Sequence, residues 1–144
     1  MKKLFSKSLA GLDDVHDLAL EINKLLPKKS TILLTGDLGA GKTTFVAAFC
    51  KLHNISQVSS PTYAIHNRYQ SEAASIDHLD LYRLDDEDSL ESAGVHDILN
   101  RESDYKFIEW PERMPGIENI SESVFKLSLK KTGETGRIAE FFKN

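Results

Sequence analysis

Cys50 is the only cysteine in the 144 residues, so an intramolecular disulfide framework and a cysteine-based zinc cluster are both excluded, as suits a reducing compartment. Prolines are few, four in all, and the eight glycines form no Gly-, Ser- or Pro-rich linker; no repeat or low-complexity stretch divides the chain. No apolar run approaches the ~20 residues that a membrane-spanning helix needs. The start, Met1-Lys2-Lys3-Leu4-Phe5-Ser6-Lys7, reaches Gly11 and two aspartates after only Ser8-Leu9-Ala10, so no secretory signal is expected. Positive charge is also short. Eighteen Lys plus Arg stand against 22 Asp plus Glu, a net charge of −4 without a basic stripe, which is a poor basis for gripping nucleic acid directly.

What remains is ordinary globular composition, 40% hydrophobic and 28% charged. It predicts a single cytoplasmic domain over 1–144, long enough to bury a core without staples. Asp13 or Asp14 is expected to cap a helix whose apolar residues Val15, Leu18, Ala19, Ile22, Leu25 and Leu26 share one face, with Pro27 stopping it. Thr31 to Thr35 reads as a buried strand and Lys42 to Leu52 as a helix that takes Cys50 into the core. Tyr63 to Tyr69 and Ala74 to Tyr82 read as strands joined around Ser71-Glu72. Asp85 to Asp88 open a short helix ended by Gly94, Tyr105 to Ile108 form a strand, and 124–129 with 137–142 form a terminal hairpin turning at Gly133 or Gly136. The pattern predicts an α/β fold: a mixed, mainly parallel sheet flanked by helices, with some antiparallel strands.

One motif dominates. Gly36-Asp37-Leu38-Gly39-Ala40-Gly41-Lys42-Thr43 matches G-x-x-x-x-G-K-[ST], entered by an apolar strand and left by a helix. In that context successive backbone N–H groups form a concave nest for phosphate at a helix N-terminus. Lys42 brings a point charge to the β- and γ-phosphates, and the Thr43 hydroxyl suits Mg²⁺. Such a loop also requires an acid at the end of a neighbouring strand, for the metal or the attacking water. Asp80, after Ser75 to Leu79, and Glu109, after Lys106 to Ile108, are both candidates. His78 and Asp80 share a strand face like a metal pair, but no third ligand is spaced with them, and a hydrogen-bonded or solvated His78 is the better reading.

Read together with Ser60-Pro61-Thr62-Tyr63, His78-Leu79-Asp80-Leu81-Tyr82-Arg83-Leu84 and Ile108-Glu109-Trp110-Pro111, the loop resembles the bacterial TsaE (YjeE) family in order and spacing over 31–111. The resemblance implies a P-loop ATPase required for threonylcarbamoyladenosine in tRNA, which binds a TsaB–TsaD pair and hydrolyses ATP to sustain or reset its cycle. It implies tRNA contact only through those partners, and no membrane. Carried over by position, Gly36, Asp37, Leu38, Gly39, Ala40, Gly41, Lys42, Thr43 and Thr44 hold the phosphates of ATP. Thr43 and Glu109 bind Mg²⁺, Asp80 and Lys42 act in catalysis, and Thr62 matches a switch threonine. Tyr82, Arg83 and Trp110 match motif positions without an assigned role. Contacts to adenine are expected from the chain ends, Leu9 to Leu12 and the region of Lys131.

Two other classes use the same loop. A small-molecule kinase needs a second pocket and an arginine-bearing lid, and Arg83, Arg101 and Arg113 are spread out with no lid insertion. A GTPase-like switch needs Asn-Lys-x-Asp after a strand; Asn23-Lys24 lies in a helix and lacks the aspartate.

Overall fold

The structure, a computed structural model, describes residues 1–59, 65–84 and 86–144. Among them seven strands make one sheet: β1 (Lys2–Leu9), β2 (Ser30–Thr35), β3 (His66–Gln70), β4 (Ser75–Asp80), β5 (Tyr105–Glu109), β6 (Val124–Lys131) and β7 (Arg137–Lys143). Their spatial order is β1-β7-β6-β2-β5-β4-β3. The parallel part is the four central strands, where β2 pairs β6 and β5, and β5 pairs β4. Antiparallel pairs, β1 with β7, β6 with β7 and β3 with β4, close both flanks. The helices are α1 (Leu12–Leu25), α2 (Lys42–Leu52), α3 (Glu87–Ser92) and α4 (Val95–Asn100).

Alternation along the central strands feeds two cores. Ile32, Leu34, Ile76 and Phe107 face α1 and α2, against Leu18, Ile22, Phe45 and Phe49. Leu33, Leu79 and Ile108 face the other way, onto Leu81, Leu90, Val95, Leu99 and Ile117. Phe45, Phe49 and Phe107 are fully buried, with edge-to-face contacts at 6.1 and 5.0 Å, each burial contributing roughly 1.5–3 kcal/mol. A strand buried on both faces has no polar side, which is why β2 reads as a continuous apolar run.

Several local expectations need correction. Gly11, not an aspartate, occupies the cap position of α1; Asp14 instead accepts the Ala10 N–H at 2.7 Å from inside the first turn. Leu25 is exposed, because the stripe of α1 that meets the sheet ends at Ile22 and Leu26. The short helix expected from the acidic segment is α3, which Asp86 caps by accepting Ser89 N–H at 2.8 Å and which ends before Gly94; what the sequence reading lacked is a second helix, α4, started by Gly94 in the left-handed region. That hydrogen bond holds the Asp86 carboxyl below its ordinary range. The strand expected over 63–69 is observed from His66, its start lying outside the described residues, and the strand expected over 74–82 is confined to 75–80.

β1 has no counterpart in the sequence reading. Its eight residues are mostly exposed and only Leu9 is buried, so the chain signal is weak; β7 supplies the ladder that holds it. Among the described residues no helix is long and apolar enough to cross a membrane.

Candidate active site

Parallel pairing puts the C-terminal ends of β2, β4 and β5 at one edge of the sheet, the edge where ligands bind in open α/β folds. From β2 the chain enters the loop with Gly36, Gly39 and Gly41 all at positive φ, and Gly41 caps α2. At Gly36 the need for glycine is doubled. Its φ is 148°, and a Cβ there would lie 2.6 Å from the Leu129 carbonyl oxygen.

Lys42 is 5% exposed, an unusual place for an ammonium group. Its Nζ donates to the Gly36 carbonyl at 2.7 Å and lies 4.3 Å from the centroid of the Trp110 ring. Opposite stand two acids. Asp80 and Glu109 are register partners at the ends of β4 and β5, 6% and 4% exposed. Lys42, Thr43, Thr44, Asp80, Glu109, Trp110, Leu38, Gly39 and Gly41 together line one cleft of about 260 Å³. Asp80 Oδ1 accepts the Tyr82 N–H at 2.9 Å, and Glu109 Oε2 lies 2.6 Å from His78 Nε2. A half-buried threonine hydroxyl and two buried carboxylates beside a phosphate nest are a hard-oxygen donor set, and they fit Mg²⁺.

Of the residues expected to hold phosphate, Gly36, Asp37 and Ala40 lie outside that cleft and line a neighbouring groove with Ser128 to Lys131. Leu38 is exposed. Thr62 lies outside the described residues. A separate, mainly apolar cleft of about 380 Å³ adjoins the loop, lined by Leu9 to Leu12, Val15, Leu18, Ala40, Gly41, Thr44, Phe45, Leu129, Thr135 and Arg137. The amino-terminal segment proposed for adenine is therefore beside the loop, whereas Lys131 borders the groove and not this cleft.

Four residues gain a place that the sequence reading did not give them. Arg137 reaches back from β7 to donate to the carbonyls of Ala40 and Gly39, each at 3.1 Å, clamping the loop. Trp110 sits in the left-handed region at φ 57°, ψ 51°, a conformation that costs an aromatic residue about 1–3 kcal/mol, and packs against Tyr82 at 4.7 Å. His78 and Tyr69 stand behind Glu109. His78 is hydrogen-bonded, as the sequence suggested, and among the described residues no three His, Cys, Asp or Glu side chains are grouped to hold a metal ion by themselves. Cys50 is buried, and that burial pushes its thiol up to about 12, so it has no part in the chemistry. Asp77 is fully buried and paired with Arg68 and His66 on the opposite face of β4.

The family model described as threonylcarbamoyl adenosine biosynthesis protein TsaE matches residues 9–139. The tRNA threonylcarbamoyladenosine biosynthesis protein TsaE of Aquifex aeolicus is 40% identical over 125 residues, covering 85% of this chain and 88% of that one. The protein of the same name from Nostoc is 37% identical over 125 residues, covering 80% and 71%. Among solved structures, the crystal structure of Bacillus subtilis YdiB superposes with a TM-score of 0.73 over 96% of this chain and 84% of that one, at 20% identity, a likeness of fold.

Proposed function

The chain belongs to the TsaE family and so acts in tRNA threonylcarbamoyladenosine biosynthesis, and we propose that it does so as a Mg²⁺-dependent ATPase whose output is the cycling of a TsaB–TsaD-type complex. The observation that carries this reading is the meeting, in one cleft, of the buried Lys42 and the half-buried Thr43 with the register pair Asp80 and Glu109. A loop that only turned a chain would need neither a buried ammonium nor two buried acids facing it.

In this reading the nest of Gly36 to Thr44 binds the phosphates through backbone N–H groups. Lys42 exchanges the Gly36 carbonyl for phosphoryl oxygens and neutralises charge that develops on them. Thr43 and Glu109 would hold Mg²⁺, which would supply charge neutralisation to the phosphates. Asp80, its carboxylate fixed by the Tyr82 N–H, orients the attacking water. The apolar cleft beside Leu9 to Leu12 accommodates the base. With a net charge of −4, the chain leaves tRNA to its partners.

The test is ATP hydrolysis measured beside modified tRNA formed, with each partner omitted in turn. No arginine lies close to the loop in sequence at a finger position, so the chain alone is expected to be slow, and the TsaB–TsaD pair to raise its turnover. Equal rates alone and in the mixture, or repeated tRNA modification without this chain, would turn the reading toward small-molecule phosphotransfer.

A further inference from the structure

Glu109 does not stand alone in the cleft. Its Oε2 meets His78 Nε2 at 2.6 Å, both side chains being buried. His78 precedes Asp80 by two residues on β4, so strand alternation puts its ring on the face that carries the Asp80 carboxylate. The ring's other nitrogen, Nδ1, lies 3.4 Å from the Tyr69 hydroxyl on the antiparallel neighbour β3.

Hydrogen-bonding capacity orders this row of groups. A phenol has one proton to donate, and burial pushes Tyr69 above its ordinary value, keeping that proton in place at neutral pH. The hydroxyl donates to the Ser59 carbonyl at 2.7 Å and receives the Asn67 amide at 3.4 Å. With its proton committed to Ser59, the oxygen can only accept from the ring. The ring thus spans from Tyr69 at Nδ1 to Glu109 Oε2 at Nε2. The imidazole cannot turn without giving up both contacts.

We propose that His78 is a positioning residue for the divalent cation: it holds Glu109 Oε2, so that Oε1 is the oxygen that would serve the cation, while Tyr69 holds the ring. The proposal rests on the reading of Glu109 as the Mg²⁺ ligand. A carboxylate held at one oxygen loses its rotational freedom before the metal arrives, and removing such an outer partner typically weakens metal binding by about 10–100-fold. A histidine that merely filled space would act through packing alone, whatever stood at position 109.

The two cases separate in a double-mutant cycle on the full chain, read by Mn²⁺ electron paramagnetic resonance in the presence of ADP. His78→Leu is expected to weaken Mn²⁺ binding about 10-fold or more, with metal-free ADP affinity and cooperative unfolding retained. Tyr69→Phe, which removes one oxygen and keeps the ring, is expected to shift it the same way by less, and carries the comparison if His78→Leu does not fold. His78→Gln, with an amide N–H to offer Glu109, is expected to recover most of the loss. In a Glu109→Gln background neither His78→Leu nor Tyr69→Phe should matter further. Parent Mn²⁺ affinity in the folded variants, or an equal loss in both backgrounds, would overturn the proposal. Parent affinity in Glu109→Gln itself would instead overturn the metal assignment beneath it.

Discussion

Asp80 and Glu109, the last residues of β4 and β5, lie side by side across a parallel ladder and are both buried. Strands in such a ladder are about 4.8 Å apart, so two acids share one edge of the sheet. In the proposed reading, the Lys42 ammonium and a divalent cation would offset the repulsion within such a pair.

Lys42→Ala should bring ATP hydrolysis to background, a loss of at least about 10²-fold, in a protein with unchanged circular dichroism. Thr43→Ala should weaken nucleotide binding only when Mg²⁺ is present. Phosphate release and nucleotide titrations with and without metal measure both. Full activity in folded Lys42→Ala would end the P-loop reading.

The two acids should separate by role. Glu109→Ala is expected to lose Mg²⁺ dependence of binding, whereas Asp80→Ala should bind Mg-ATP and hydrolyse it about 10²-fold more slowly. Calorimetry and single-turnover rates distinguish them. A crystal structure with Mg²⁺ on Asp80 and not on Glu109 would reverse the assignment.

Gly36→Ala should destabilise the folded chain by at least about 1–3 kcal/mol, since the new Cβ meets backbone, the Leu129 carbonyl at 2.6 Å, and φ is 148°. Gly133→Ala has the positive φ, 124°, with open space around it, and is the control for backbone strain alone. Denaturant unfolding of the pair tests this; equal losses would show that the contact with β6 is not the cause.

Stability should fall with acidification in a manner traceable to His53. Its ring packs on Phe49 and Tyr105 and shares a hydrogen bond with Asn23 Oδ1 at 2.9 Å, and burial lowers its folded value below 6.5. The unfolded chain then takes up the proton first, so stability is full above 6.5 and declines as pH drops toward the folded value. In His53→Gln the melting temperature should depend less on pH between about 7 and 5. An unchanged slope would exclude His53 as the source.

The loop was legible because everything it requires is contiguous. Gly36 to Thr43, the apolar run before them and the helix after them are dictated by backbone conformation and periodicity within about twenty residues. Asp80 and Glu109 could be singled out as acids at strand ends, though nothing in the sequence states that β4 and β5 are neighbours. β1 escaped because most of this edge strand is exposed and its inward row, Phe5, Lys7 and Leu9, is broken by a lysine, so no apolar alternation shows in the sequence. Arg137 left no signal at all, its contact with Ala40 spanning 97 positions.

By itself, then, the sequence determined the strand–loop–helix around the glycine-rich motif, the identity of the acids and the family blocks that tie them together, because local sterics and hydrogen bonding act between near neighbours along the chain. Tertiary structure alone decided that Asp80 and Glu109 stand in register, that His78 reaches Glu109 across 31 positions, and that Arg137 clamps the loop. Those relationships depend on which strands pair and in which direction, and pairing is set by the burial of whole faces, a property that no short stretch of residues possesses.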